Sequence, residues 1–151
     1  MNWHLKTFEE LTTKELYEIL RARAEVFVVE QNCVYQDLDL KDQKSYHMFS
    51  EENGEIITYV RIIEKGVSYA EMSAGRLLTR EDNRGKGLSR ETVEKMIDFV
   101  VHRLGETKIR ISAQLYLLKF YESVGFVKTS DVYLEDEIEH VQMLYDHSKT
   151  E

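Results

Sequence analysis

The stretch Arg84-Gly85-Lys86-Gly87-Leu88-Ser89 constrains this chain more than any other. An apolar, strand-like run, Gly75-Arg76-Leu77-Leu78-Thr79, precedes it. A long amphipathic helix follows, with Leu88, Val93, Met96, Ile97, Val100, Val101 and Leu104 on one stripe of 3.6-residue period. Two glycines let the backbone turn tightly and leave no Cβ to hold a ligand off. The first N–H groups of a helix lack intrahelical partners, and the helix dipole adds partial positive charge there. Strand, glycine turn and helix N-terminus together form an anion-binding geometry, and Arg84 and Lys86 add full charges. Two other phosphate loops are excluded by the letters. A Walker-type loop needs Ser or Thr directly after Gly-Lys, but Gly87 follows Lys86; a dinucleotide fingerprint needs a third glycine where Arg90 stands. On these six residues alone, a plain turn with solvated basic side chains competes with anion binding.

At 151 residues the chain fits one domain with a sizeable core, here expected over residues 1–151. No apolar run approaches the ~18 residues of a membrane span, and the N-terminus lacks a signal-peptide pattern. One cysteine, Cys33, excludes an intrachain disulfide, so a cytoplasmic location is expected. The formal net charge of −8 disfavours a nucleic-acid partner, while a compact anionic ligand needs only a local basic pocket.

Residues 2–8 alternate in polarity and predict an opening strand. Thr12 and Glu15 have capping-box spacing, and the helix behind them buries Leu16, Ile19, Leu20, the Arg23 stem or Ala24, and Phe27, fading near residues 29–31. Residues 32–45 predict a long loop carrying Asp37, Asp39 and Asp42. The loop is unsuited to calcium: Lys41 and Ser45 occupy ligand positions and the mid-loop glycine is missing, so no metal is expected. Strands follow over 46–50, 55–64 (after the Asn53-Gly54 turn) and 70–79. Gly105 ends the main helix, and 108–113 predicts a strand parallel to 70–79. A second helix spans about 115–124, and strands over 126–134 and 141–145 close the chain around the acidic turn 135–137. The pattern is a mixed α/β sheet with two crossovers.

These residues resemble the GNAT superfamily of acyl-coenzyme A-dependent N-acetyltransferases. That motif is Arg or Gln, two residues, Gly, one residue, then Gly or Ala; Arg84, Gly87 and Ser89 match it, with Ser a small departure in the last place. A second family motif, an aromatic pair followed by Gly-Phe, stands as Phe120-Tyr121-Glu122-Ser123-Val124-Gly125-Phe126. Within the superfamily the chain is similar to the ElaA-like branch, through Val26-Phe27-Val28-Val29-Glu30-Gln31 with Tyr35-Gln36-Asp37, and through the stretch from Val132 to His140. Glu137 departs from the glycine usual in that branch, and the flanks of Ser45-Tyr46-His47 match loosely.

The resemblance implies a single-domain, mostly antiparallel mixed sheet with a central, splayed parallel strand pair and flanking helices. It implies acetyl-coenzyme A as co-substrate, with the pantetheine arm between strands 70–79 and 108–113. Backbone of Leu77, Leu78 and Thr79 would hold that arm, and an N–H near Leu78 would stabilise the oxyanion of a tetrahedral intermediate. The pyrophosphate would rest on Arg84, Gly85, Lys86, Gly87, Leu88 and Ser89, and Gln114 falls where relatives place an asparagine that contacts the cofactor. Tyr121 occupies the position of the general acid; a phenol with a pKa near ~10 keeps its proton for the departing thiolate. Its bland alternative is a core aromatic on the stripe of Leu117, Leu118 and Val124. Glu30, Glu71 and His140 are candidates for the base, with water as another and His47 behind them. Cys33 has no His/Asp partner pattern, and direct amine attack needs no acyl-enzyme.

Glu30, Asp37, Asp39, Glu135 and Asp136 either gather at an acceptor mouth, favouring a cationic amine, or form a solvated acidic face. The expected activity is acetyl transfer to a primary amine of a small molecule or peptide, in a ternary complex. The alternative is a catalytically silent acyl-coenzyme A-binding or protein-interaction module. Homodimers are common in the family, and no membrane partner is expected.

Overall fold

The computed structural model describes residues 1–149. Eight strands form one sheet: β1 (Asn2–Thr7), β2 (Ser45–Glu52), β3 (Glu55–Ile63), β4 (Met72–Thr79), β5 (Lys108–Gln114), β6 (Val127–Lys128), β7 (Tyr133–Glu135) and β8 (Ile138–Asp146). Their order is β1-β2-β3-β4-β5-β8-β6, with β7 also pairing β8. All neighbours are antiparallel except β4 and β5. Three α-helices, α1 (Thr13–Arg23), α2 (Leu88–Asp98) and α3 (Leu118–Ser123), connect them.

The larger core lies on the α2 and α3 face, where Val60, Ile62, Ala74, Ile111 and Met143 meet Val93, Met96 and Val100. The smaller core lies under α1, where Ile19 and Val26 pack on Phe49, Tyr59 and Leu78. Each fully buried aliphatic side chain there stabilises by about 1.5–3 kcal/mol. Both long helices end in a π-helical turn, Ala24–Glu30 after α1 and Phe99–Arg103 after α2, and Gly105 lies just beyond at φ +70°.

Two expectations change. Residues 126–134 are two short strands, not one: Ser130 turns its hydroxyl to accept the Gln142 N–H at 2.8 Å, which takes that donor from the ladder and breaks the outer strand. In α1 the whole of Arg23 is buried at 0% exposure, whereas Ala24 faces solvent. The acidic turn is tight as expected, but Asp136 (φ +51°) and Glu137 (φ +64°) both take the left-handed conformation that glycine usually fills. A side chain in that conformation costs roughly 1–2 kcal/mol.

Candidate active site

Strands β4 and β5 pair at Met72 with Ile109 and Ser73 with Arg110, and at no further position among the described residues. Beyond that point the two strands diverge, although β4 stays paired to β3 and β5 to β8. A bulge accompanies the divergence: the β3–β4 register slips between Tyr59 and Arg61, and Arg76 on the bulge has φ +54°. Past Ser73 the edge of β4 that would face β5 has no strand partner, and backbone groups on such an edge need partners.

The gap leads to the glycine turn. After Thr79 a single 3-10 turn, Glu81–Asn83, brings the chain to Gly85 (φ +80°) and Gly87 (φ +77°). Gly87 is the N-cap of α2 and supplies no side-chain hydrogen bond, so the first-turn N–H groups are left without a side-chain cap. A Cβ built at either glycine would meet nothing within 4 Å, which leaves open space over the turn. Ser89 ties the turn to the strand, its Oγ lying 2.6 Å from Thr79 Oγ1. Lys86 is exposed and makes no ion pair among the described residues. The Arg84 guanidinium folds back, donating to Thr79 O at 2.9 Å and to Glu30 Oε2 at 2.7 Å.

That ion pair locates Glu30. It lines a cleft of about 600 Å³ beside Leu78 and Arg80, separate from the cleft of about 490 Å³ that holds Tyr121, His140, Gln114 and Leu77. Of the three candidate bases, Glu30 and His140 therefore lie in different clefts. Glu71 is also elsewhere, paired with Arg110 through both carboxylate oxygens at 3.1 and 2.9 Å. His47 is fully buried, its Nε2–H donating to Asp42 O at 2.9 Å and its Nδ1 accepting from the Tyr59 hydroxyl at 2.7 Å. Burial holds its pKa below the usual histidine range, so it is a neutral core residue.

In the 490 Å³ cleft, Tyr121 is 8% exposed and packs edge-on against Phe120 and Phe126. Burial pushes its pKa well above the ordinary phenol value, with Tyr116 adding to the shift. Its hydroxyl has no hydrogen-bond partner among the described residues. Packing and a proton-bearing phenol thus coincide in one side chain. The Gln114 amide donates to Gln31 Oε1 at 3.3 Å, across the cleft wall.

His140 has a defined tautomer. Its Nδ1 lies 2.7 Å from Ile138 O, and a carbonyl only accepts, so Nδ1 carries the proton. The Nε2 lone pair is left toward Glu135 Oε2 at 3.5 Å. Glu135 also accepts from Ser112 Oγ at 3.1 Å, and the Tyr133 ring stacks on the imidazole with centroids 6.2 Å apart. An imidazole so placed can take a proton at Nε2 and share it with Glu135.

The aspartates of the long loop are neither an open acidic mouth nor a solvated face. Asp39 binds Arg61 through both oxygens at 2.7 Å, and Asp42 accepts from Arg23 at 2.7 Å and Arg61 at 3.0 Å. Asp37 accepts from Arg23 at 3.0 Å and Arg76 at 2.8 Å. Burial pushes the Asp39 carboxyl up, but Arg61 and Arg76 outweigh it and hold its pKa at about 2. Three arginines, from α1, β3 and the β4 bulge, thereby pin the loop onto the sheet. Burying such charges is costly unless they are paired, and here each has partners. Cys33, on the same loop, has its Sγ 3.6 Å from Asp136 O, so loop and acidic turn meet over the cleft.

Sequence reasoning missed Arg23 and Arg61 as members of this site. The Asp37, Asp39 and Asp42 spacing was visible, but arginine is seldom fully buried, so no letter announced its partners.

The comparisons fit this geometry. Residues 9–146 match the family profile described as an acetyltransferase (GNAT) domain. A UPF0039 protein of Synechocystis is 36% identical over 96% of this chain and 95% of its own length. Protein ElaA of Escherichia coli is 33% identical over 95% of each chain, and its crystal structure superposes with a TM-score of 0.89 over 96% of this chain and 99% of that one. The crystal structure of an acyl-CoA N-acyltransferase from Pseudomonas aeruginosa, 33% identical, superposes with a TM-score of 0.90 over 96% of this chain and 99% of that one. With its strands parted beside an uncapped glycine turn, this chain belongs to the GNAT acetyltransferase family and has the fold of the acyl-CoA N-acyltransferases.

Proposed function

We propose that this chain, acting as one domain, transfers an acetyl group from acetyl-coenzyme A to a primary amine by direct attack within a ternary complex. The observation that carries the reading is the continuity of the β4–β5 splay with the open turn at Gly85 and Gly87, beside a cleft lined by Tyr121 and His140. The edge of β4 that β5 leaves beyond Ser73, around Leu77, Leu78 and Thr79, suits an amide-bearing arm. The first turn of α2, with Lys86, suits a diphosphate. Arg84 and Glu30 brace that turn, so Glu30 serves the cofactor side and not the amine.

In the reaction the amine lone pair attacks the thioester carbonyl carbon, and an N–H near Leu78 steadies the oxyanion. The ammonium proton passes to His140 Nε2, directly or through one water, with Glu135 holding the imidazolium. The carbon–sulfur bond then breaks, and the thiolate takes its proton from the Tyr121 hydroxyl. The phenol keeps its proton at neutral pH and so has one to give as the thiolate departs. A cytoplasmic setting supplies the co-substrate.

Acetyl-coenzyme A added at saturation should raise the melting temperature and shift the amide signals of residues 84–89. A panel of amines should then release free thiol. Binding without thiol release for any amine would favour a silent acyl-coenzyme A module; no binding at all would end both readings.

A further inference from the structure

The acceptor cleft is polarised across the sheet, and its free charge on the β3 side is positive. Asp37, Asp39 and Asp42 are consumed by Arg23, Arg61 and Arg76, so that six-residue group presents no net anionic surface to a ligand. Lys41 lines the same cleft, and its Nζ has no carboxylate within ion-pair distance among the described residues. Its backbone is fixed at both ends: the N–H donates to Asp39 Oδ1 at 3.1 Å, and the carbonyl accepts from Ser45 Oγ at 2.7 Å. The ammonium is therefore offered from a rigid base. Arg61 lines this side too, and its buried Nε has no partner among the described residues. Buried donors are rarely left so, and an oxygen-bearing ligand seated there would satisfy it. The hydroxyl residues Ser68 and Tyr69 line the same cleft and add neutral donors.

The opposite side differs. Glu135 is held by Ser112 and faces His140, which places carboxylate and base together on the β7–β8 side. A cleft with a base on one flank and a free lysine on the other selects a two-ended molecule. Resting on the acyl-transfer reading above, we propose that the acceptor is an amine bearing an anionic oxyacid group, carboxylate or phosphate, bound by Lys41 on the β3 side. The register sets its length. Arg61 pairs with Gly75, two residues before Leu77 and one strand across. At ~3.3 Å per residue and ~4.8 Å per strand, the Cα positions of Arg61 and Leu77 lie roughly 8 Å apart, which sets the scale for the acceptor's span. That separation corresponds to a linker of about six bonds.

The test compares 6-aminohexanoate, 6-aminohexanamide, 1,6-diaminohexane and 5-aminopentyl phosphate in the thiol-release assay with saturating acetyl-coenzyme A. The same probes are titrated calorimetrically into the protein, with and without saturating coenzyme A. An anionic probe should exceed the amide by about tenfold in kcat/KM and in affinity, with the diamine weakest. Whether carboxylate or phosphate leads identifies the acid. Lys41→Gln should level acid and amide, and Lys41→Glu should move the diamine ahead of the acid. Equal use of acid and amide, a diamine preference in the unaltered protein, or an acid preference that survives Lys41→Gln would overturn the inference. The calorimetric arm separates this from the parent reading. An acid preference in binding without thiol release would leave the inference standing and remove the transfer reading; thiol release without preference would do the opposite.

Discussion

Helices α1 and α2 are each 11 residues long, and each runs into a π-helical turn, yet they begin in opposite ways. At the start of α1, Thr12 Oγ1 accepts the Glu15 N–H at 3.1 Å, and Glu15 Oε1 accepts the Thr12 N–H at 2.8 Å. Lys6 completes the seal by donating to both Glu15 oxygens at 3.0 and 2.8 Å. At the start of α2 there is only Gly87, in a left-handed conformation and without a side chain to offer. One end meets its own backbone needs locally; the other is left for something outside the chain. The difference separates stability from the proposed function: a capped end contributes to folding, while the uncapped end beside a splayed sheet is the one the proposed reading assigns to a ligand.

The largest effect should come from closing the open end. Gly87→Trp fills the space over the turn and should weaken acetyl-coenzyme A binding by at least about 100-fold, read by calorimetry. No protein atom lies within 4 Å of the added Cβ, so the loss belongs to the ligand. The apo protein should lose only roughly 1–2 kcal/mol from the left-handed backbone.

Tyr121→Phe should come next. It is expected to slow turnover by about 100-fold while binding of acetyl-coenzyme A stays near normal, as steady-state kinetics beside calorimetry would show. The hydroxyl makes no hydrogen bond to the protein among the described residues and opens on the cleft, so the melting temperature should change little. A destabilised variant with full activity would return Tyr121 to the core and nothing more.

Acid should distinguish the two helix starts. Burial raises the Glu15 carboxyl, but the Lys6 and Thr12 hydrogen bonds outweigh it and hold it below its usual 4.5. A lowered carboxyl contributes stability above its unfolded pKa and loses it as pH falls through the folded one. Asp42 has the same sign, and Asp39, at about 2, extends the window downward. Melting temperature should therefore fall between about pH 4.5 and pH 2. Amide signals of Thr12 and Glu15 should titrate there, with those of Leu88 and Ser89 following only global unfolding.

The smallest effect should be Thr12→Ala, at a cost of about 1 kcal/mol in chemical denaturation with acetyl-coenzyme A affinity unchanged. An equal loss of affinity would mean that the two helix ends are not independent.

Much of this contrast was legible beforehand because caps and glycine turns are local. Thr12 and Glu15 are three residues apart, and Gly85 and Gly87 sit directly between a strand and a helix. The parallel pairing of β4 and β5 follows from the strand–helix–strand pattern, whereas its splay came through the resemblance of Arg84, Gly87 and Phe120 to Phe126 to a known family. The alternating letters of 126–134 predict one continuous outer strand; Ser130, which breaks it, acts through Gln142 on another strand. The letters group Glu30 with the loop and turn carboxylates, yet its partner Arg84 lies 54 positions away and draws it to the glycine turn.

The sequence by itself determined the cap of α1, the glycine turn before α2 and, through its motifs, the family, because each depends on residues within a few positions of one another. Only the tertiary structure decided that three aspartates are neutralised by Arg23, Arg61 and Arg76, that His140 carries its proton on Nδ1, and that Lys41 lines the cleft of Tyr121 and His140 with no carboxylate partner among the described residues. A charge's effect depends on what lies within a few ångströms of it, and those neighbours arrive from distant parts of the chain only when the sheet has formed.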